Sequence, residues 1–336
     1  MFDQSNALGP LSPEHILQLS PCTLERDARA QSGEHHETRD ALVEISSGRA
    51  WLLVGKVKDA SLGEVWSAVE VKREVSDQPY VELYDENKRT CRVTVKRMPK
   101  KEIDEKKGKM REDPMNEIAA LDILSDRSRR HVLQKVAALE DDETVYLLMP
   151  AIGGGCQGWD TTSLEEMETV RKLFLQVVKG MKYVHSKGIC HSKMCLENVL
   201  FDESRENAYI TNFGFSFRMP VDDENRRKAE SSYCSPETFK GQACDGVKMD
   251  VFAAGAMLFT MLTGRPPFTT ASSLDKDFKS LVCKGKVAEA IGRHQLKLIP
   301  GGEEAVALLK GMMALKPKDR FSPDQVLEHP WMARGI

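Results

Sequence analysis

The chain has 336 residues, 41% of them apolar, and a formal net charge of −3 from 48 basic and 51 acidic side chains. That length and apolar content supply a sizeable core, in one two-lobed domain or two ordinary ones. The balanced charge excludes a broad electrostatic footprint for nucleic acid or an anionic membrane.

The opening MFDQSNALGPLSPEH has neither the basic leader nor the apolar stretch of a signal peptide, and Phe2 stands where myristoylation needs glycine. Residues 1–47 are rich in Ser, Glu, His, Asp and Arg without sustained periodicity, so they are expected to form a flexible N-terminal tail carrying at most one helix around Pro13 to Leu19. Order is expected from near Ala50. Short apolar and β-branched runs over 51–71 and 80–98 predict antiparallel strands joined by turns, and 100–124 predicts a helix with Ile118, Leu121 and Leu124 on its buried face. After Pro150 and a GGG run the pattern is mostly helical. The expected architecture is α+β, with a β-rich lobe over 48–149 carrying one long helix and a mostly helical lobe over 150–333. Val251 to Gly264 is the longest nearly uncharged apolar stretch, about 14 residues against the roughly 20 needed to span a bilayer, and is expected to be a buried helix. Eight cysteines form no CxxC pair, which fits free thiols in a reducing compartment. The cytoplasm is the expected location by default, with the nucleus as an alternative.

The motifs with chemical content come in a fixed order: VTVK at 93–96, Glu117 in NEIAAL, HSKMCLENVL at 191–200, TNFGF at 211–215, SPE at 235–237, DVFAAG at 250–255, LTGRPPF at 262–268 and DRFSPDQVLEHPWM near the end. Alone, a strand Lys and a helix Glu read as solvated charges. In this order the set resembles the serine/threonine protein kinases over roughly residues 48–333, with a C-terminal lobe most similar to calcium/calmodulin-kinase-like enzymes.

The resemblance implies a role for each matched residue. Lys96 is the candidate ligand of the nucleotide α/β-phosphates and Glu117 its ion-pair partner. Val57, Val65, Thr94, Met149, Ala151, Ile152 and Leu200 are the candidate adenine surroundings, with the alternative that these apolar residues are simply core. Asn198 keeps the place of a metal-binding Asn. His191 and Phe213 are structural members of the catalytic-loop and D-F-G segments, Asp250 is expected to brace the catalytic-loop backbone, and Glu237 with Arg320 to form a buried salt bridge.

Several positions depart from the pattern. Lys193 stands at the catalytic Asp and Asn212 at the magnesium-binding Asp, so the proton acceptor and a charged metal ligand are both missing. Gly63 keeps the last glycine of the phosphate loop, but Lys58 and Ala60 occupy the other two places, where side chains obstruct the approach of phosphates. Ser192 replaces the Arg that reads an activation-loop phosphate, and Glu230, opposite Lys193, is expected either to pair with it or to have drifted independently. The resemblance then implies a catalytically impaired kinase fold, a pseudokinase, used as a scaffold or allosteric regulator of an active kinase or its substrate. ATP is the implied cofactor, with magnesium not required, and neither nucleic acid nor membrane is expected as a partner. The alternatives are an active serine/threonine kinase with a rearranged site and a nucleotide-responsive switch. GEHHE at 33–37 reads as solvated rather than metal-binding, and Cys195 as an inert thiol unless Lys193 lowers its pKa. The basic run from Lys96 through Arg111, interleaved with acids, reads as a solvated helix face or, alternatively, a docking patch for a phosphorylated partner.

Overall fold

The computed structural model describes residues 19–27, 39–72, 81–84, 90–107, 112–125, 131–153, 164–219, 231–242, 244–292, 296–297 and 299–334. The chain divides after Ala151 into an N-terminal and a C-terminal unit, and His131 and Val132 belong to the second. The first is β-rich and the second mostly helical, which is the expected α+β arrangement.

The N-terminal unit contains strands β1 (Ser20–Asp27), β2 (Arg39–Glu44), β3 (Ala50–Asp59), β4 (Glu64–Lys72), β5 (Val81–Glu82), β6 (Arg92–Pro99), β7 (Ala137–Glu140) and β8 (Thr144–Pro150). Their order is β3-β2-β1-β7-β8-β6-β4-β5, with β3 also paired to β4, so the sheet closes on itself through β1 and β2. This corrects the expectation of a flexible tail over 1–47, in which two strands are found. Leu19 lies in no helix, and the rest of the helix expected around Pro13 falls outside the described residues. Closure has a clear physical benefit, because β3 and β7 would otherwise present unpaired backbone edges. β1 runs antiparallel to β2 and parallel to β7, pairing Ser20 with Leu139 and Pro21 with Glu140. Cys22 and Leu42 are drawn into one core with Trp51, Leu53, Val93, Val95, Leu139, Tyr146 and Leu148.

The single long helix expected after the strands is two short ones, α1 (Lys100–Lys106) and α2 (Pro114–Ile123). Helix α1 is charged and buries none of its residues, and Lys107 after it is extended. A new start is set by Asp113, whose carboxylate accepts from the Met115 N–H at 2.8 Å, and by Pro114 at the first helical position. Ile118, Leu121 and Leu124 are buried, as their spacing predicts.

In the C-terminal unit, α3 (Leu164–Ser186), α4 (Pro236–Phe239) and α5 (Gly246–Thr263) precede helices at 302–312, 323–327 and 330–333. Helix α5 is long and apolar enough to cross a membrane by composition, yet 78% of it is buried within the protein, the core helix that the sequence predicts. Two short ribbons pair Ile189–Cys190 with Phe217–Arg218 and Val199–Phe201 with Ala208–Ile210. They suspend the loops 191–198 and 211–216 from common anchors, which brings two segments apart in sequence into register.

Candidate functional site

In the N-terminal unit the site is built on β6. Thr94 and Lys96 lie two residues apart, hence on one face, and cross-strand partners share that face. Val65 is opposite Lys96 and Met149 opposite Thr94, so the structure brings Val65, Thr94, Lys96 and Met149 to one side of the sheet. Val57, in β3, is 61% exposed. Gly63 has φ 67°, and a Cβ there would lie 1.9 Å from the Arg97 carbonyl oxygen, so only glycine fits. Lys58 and Ala60 precede a tight turn in which the Ala60 N–H donates to the Gly63 carbonyl at 3.0 Å.

Lys96 is buried, and its ammonium contacts Glu117 at 2.9 Å and Glu112 at 3.4 Å. Burial works against its charge, but the two carboxylates outweigh it and hold the Lys96 pKa above the usual lysine value. Glu112 is a residue that sequence reasoning missed. Its second oxygen accepts from Ser61 Oγ at the loop tip, 2.6 Å away.

In the C-terminal unit the loop 191–198 hangs on a fully buried carboxylate. Asp250 accepts from the His191 N–H at 2.8 Å and the Ser192 N–H at 2.9 Å, with His185 Nε2 at 2.9 Å and Cys190 Sγ at 3.4 Å. Burial raises the Asp250 pKa, but His185, His191 and these N–H groups together bring it below the usual carboxylate value. Ser192 takes φ 67°, a conformation uncommon outside glycine that the Asp250 bond holds in place. His191 accepts from the Lys193 N–H at Nδ1, so its proton is on Nε2, which donates to the Thr211 carbonyl at 3.0 Å. Its ring meets Phe213 edge-on at 4.9 Å between centroids.

The amides of Asn198 and Asn212 have fixed directions. Asn198 Nδ2 donates to the Lys193 carbonyl at 2.9 Å, which turns its Oδ1 toward Asn212, and Asn212 Nδ2 donates to that oxygen at 2.9 Å. Asn212 Oδ1 is buried and has no hydrogen-bond partner among the described residues. The Lys193 side chain is exposed, with its ammonium 4.0 Å from the centroid of the Phe215 ring, an attraction specific to a cation. Phe215 was also missed by sequence reasoning. Glu230 and the GEHHE segment lie outside the described residues. The surroundings of Cys195 favour an inert thiol: burial first, then the hydrogen bond and charge of Glu197, push it up to about 12, and Lys193 is a weaker opposing influence. Ile152 and Leu200 are half-buried in the C-terminal unit. Glu237 and Arg320 form a two-pronged buried ion pair at 2.7 and 3.1 Å.

A protein kinase domain model matches residues 80–332, most of the chain. The chain belongs to the protein kinase family. Within the kinase domain's relatives, it is 32% identical over 210 residues to a serine/threonine-protein kinase PLK4 of Nematostella vectensis, covering 60% of this chain and 20% of that protein. It is 27% identical to a probable serine/threonine-protein kinase CCRP1 of Zea mays over 61% of this chain and 32% of that one. The same identity, over 68% of this chain and 52% of the relative, relates it to a CBL-interacting serine/threonine-protein kinase 15 of Arabidopsis thaliana. The kinase chain thus spans from a fifth to about half the length of these relatives. The matched region begins at residue 80, so strands β1 to β4 and the turn between β3 and β4 precede it.

Of the basic run from Lys96 through Arg111, the described residues 96–107 do not form one basic face, and 108–111 lie outside the described residues. Lys96 is a buried strand residue, Lys100 pairs with Glu140 at 2.8 Å, and Lys106 pairs with Glu102 at 3.3 Å.

Proposed function

We propose that the kinase fold serves here as a binding and regulatory module from which phosphotransfer has been lost, with a protein partner such as an active kinase or its substrate. The observation that carries this reading is the closed amide pair of Asn198 and Asn212. A divalent cation needs oxygen lone pairs, preferably anionic ones, and magnesium demands them in near-octahedral order. At these two positions one oxygen already accepts an N–H, the other is buried, and neither is charged. The site as built does not fit the magnesium that kinases use.

Lys193 adds a second loss. A carboxylate that accepts the substrate hydroxyl proton is worth about 10²- to 10⁴-fold in rate, and an exposed ammonium held over a ring does not supply one. What remains supports nucleotide recognition: an ATP adenine would meet Val65, Thr94 and Met149, and its phosphates Lys96. The intact Lys96–Glu117 pair also favours a second reading, an active serine/threonine kinase that works by positioning and charge alone. A cytoplasmic or nuclear setting is part of the proposal, in keeping with the free thiols of the described cysteines.

Nucleotide binding is accordingly expected to be indifferent to magnesium or weakened by it, because the cation would compete for the phosphates without a protein ligand to repay it. Titration of ATP by calorimetry, with magnesium and with chelator, checks this. Asn212→Asp should make the binding magnesium-dependent, by restoring one charged oxygen donor. Binding by the unmodified chain that appears only with magnesium would contradict the reading.

A further inference from the structure

We propose that Glu112 is a built-in occupant of the phosphate position at Lys96, so that the N-terminal unit closes its own share of the nucleotide site until this carboxylate is displaced or neutralised. The inference rests on the reading of Lys96 as the nucleotide-phosphate lysine. One carboxylate suffices to orient a buried lysine, and Glu117 at 2.9 Å supplies it. Glu112, at 3.4 Å, is a surplus. Lys96 with both acids carries a net charge of −1, where a lysine with a single partner carries none. The side chains of Lys96, Glu112 and Glu117 are only 10%, 11% and 2% exposed, so water and salt screen this excess poorly. An incoming polyphosphate meets negative charge at the lysine that should receive it.

The second carboxylate oxygen explains why the phosphate loop shares in the closure. Glu112 Oε2 accepts from Ser61 Oγ at 2.6 Å, so one carboxylate takes an ammonium and a loop hydroxyl, the donors that a phosphate would use. The tip is held from two more directions. Lys106 Nζ donates to the Ser61 carbonyl at 3.1 Å, and Leu62 is tucked in to 3% exposure although it sits at the end of a loop. A loop that cradles phosphates turns its backbone N–H groups toward them. Here the Ala60 N–H is spent on Gly63 and the tip is tied to Glu112, ahead of α2, and to Lys106, at the end of α1. The latch is made of acceptors for cationic and hydroxyl donors, so another anion or loss of the Glu112 charge is what releases it.

The test uses the full chain, with ATP and adenosine titrated by calorimetry in the presence of chelator. Glu112→Gln keeps the shape and removes the charge, and is expected to tighten ATP by about tenfold or more, some 1.4 kcal/mol, with adenosine unchanged. Ser61→Ala should shift ATP affinity in the same direction by less, and Lys96→Ala in the Glu112→Gln background should cancel the gain. A readout without nucleotide is the rate at which an amine-reactive reagent modifies Lys96, followed by peptide mapping. Glu112→Gln should raise it severalfold. Equal or weaker ATP binding by Glu112→Gln, including none at millimolar ATP, overturns the proposal, as does an equal gain for adenosine or an unchanged labelling rate at Lys96. These outcomes are separate from catalysis: phosphate transfer by the unmodified chain would refute the lost-transfer reading and leave the Glu112 affinities as measured.

Discussion

Replacing Arg320 by Leu while Glu237 stays in place is expected to destabilise the protein by about 3–5 kcal/mol, read as a lower denaturation midpoint. All five guanidinium N–H donors are used. Nη1 donates to Glu237 Oε1 and the Lys248 carbonyl, each at 2.7 Å, Nη2 to Glu237 Oε2 and the Ala314 carbonyl, each at 3.1 Å, and Nε to the Ala314 carbonyl at 3.2 Å. The charge also lies 4.9 Å from the centroid of Phe252. Without Arg320 the Glu237 carboxylate stays buried without a counter-ion, and the carbonyls of Lys248 and Ala314 lose these bonds. That uncompensated charge, rather than the worth of the pair, sets the size of the loss. Removing both charges, with Glu237→Leu beside Arg320→Leu, should therefore recover part of it. A single variant within about 1 kcal/mol of the unmodified protein would place the pair in the class of surface ion pairs and contradict this account.

The second large effect is expected at the N-terminus. Leu42→Ala should cost about 2–5 kcal/mol, since Leu42 is fully buried in the core cluster of the sheet. A chain starting at residue 48 should fare worse. It loses the burial of Cys22, Ala41 and Leu42 and frees the edges of β3 and β7 to pair with other molecules, so soluble yield and midpoint should both fall. Since whole domains are stable by only about 5–15 kcal/mol, the truncated chain is expected to aggregate. A soluble truncation with an unchanged midpoint would show that closure of the sheet is ornamental.

These two results concern parts of the molecule that differ in how far the sequence reveals them. Glu237 and Arg320 sit in motifs whose order is recognisable, and so do Lys96, Glu117, Asp250, Asn198 and Asn212. Each occupies a position where local chain geometry and a fixed partner leave little freedom. The strands β1 and β2 were not legible because their pattern is nearly silent. Among the described side chains of β1 only Cys22 is buried, and the strand's parallel neighbours Leu139 and Glu140 lie far away in sequence, so no local alternation marks it. The break between α1 and α2 was readable in principle from Asp113-Pro114, a capping residue followed by a proline, and the apolar face beyond it masked the signal. Glu112 and Phe215 could not be found from spacing. Glu112 is one acid among many in a mixed-charge stretch, and only the fold sets it beside both Lys96 and Ser61. Phe215 acquires its role from the side chain of Lys193, which lies on a separate loop held in register by the two ribbons.

The measurement that bears most directly on the central claim is transfer of labelled phosphate from ATP to a generic protein substrate and to the chain itself, in magnesium and in manganese. The unmodified protein should give a rate indistinguishable from that of Lys96→Ala, because on the proposed reading a missing base alone lowers transfer by about 10²- to 10⁴-fold and the amides of Asn198 and Asn212 offer the metal no charged oxygen. Transfer by the unmodified chain that Lys96→Ala abolishes would contradict the account.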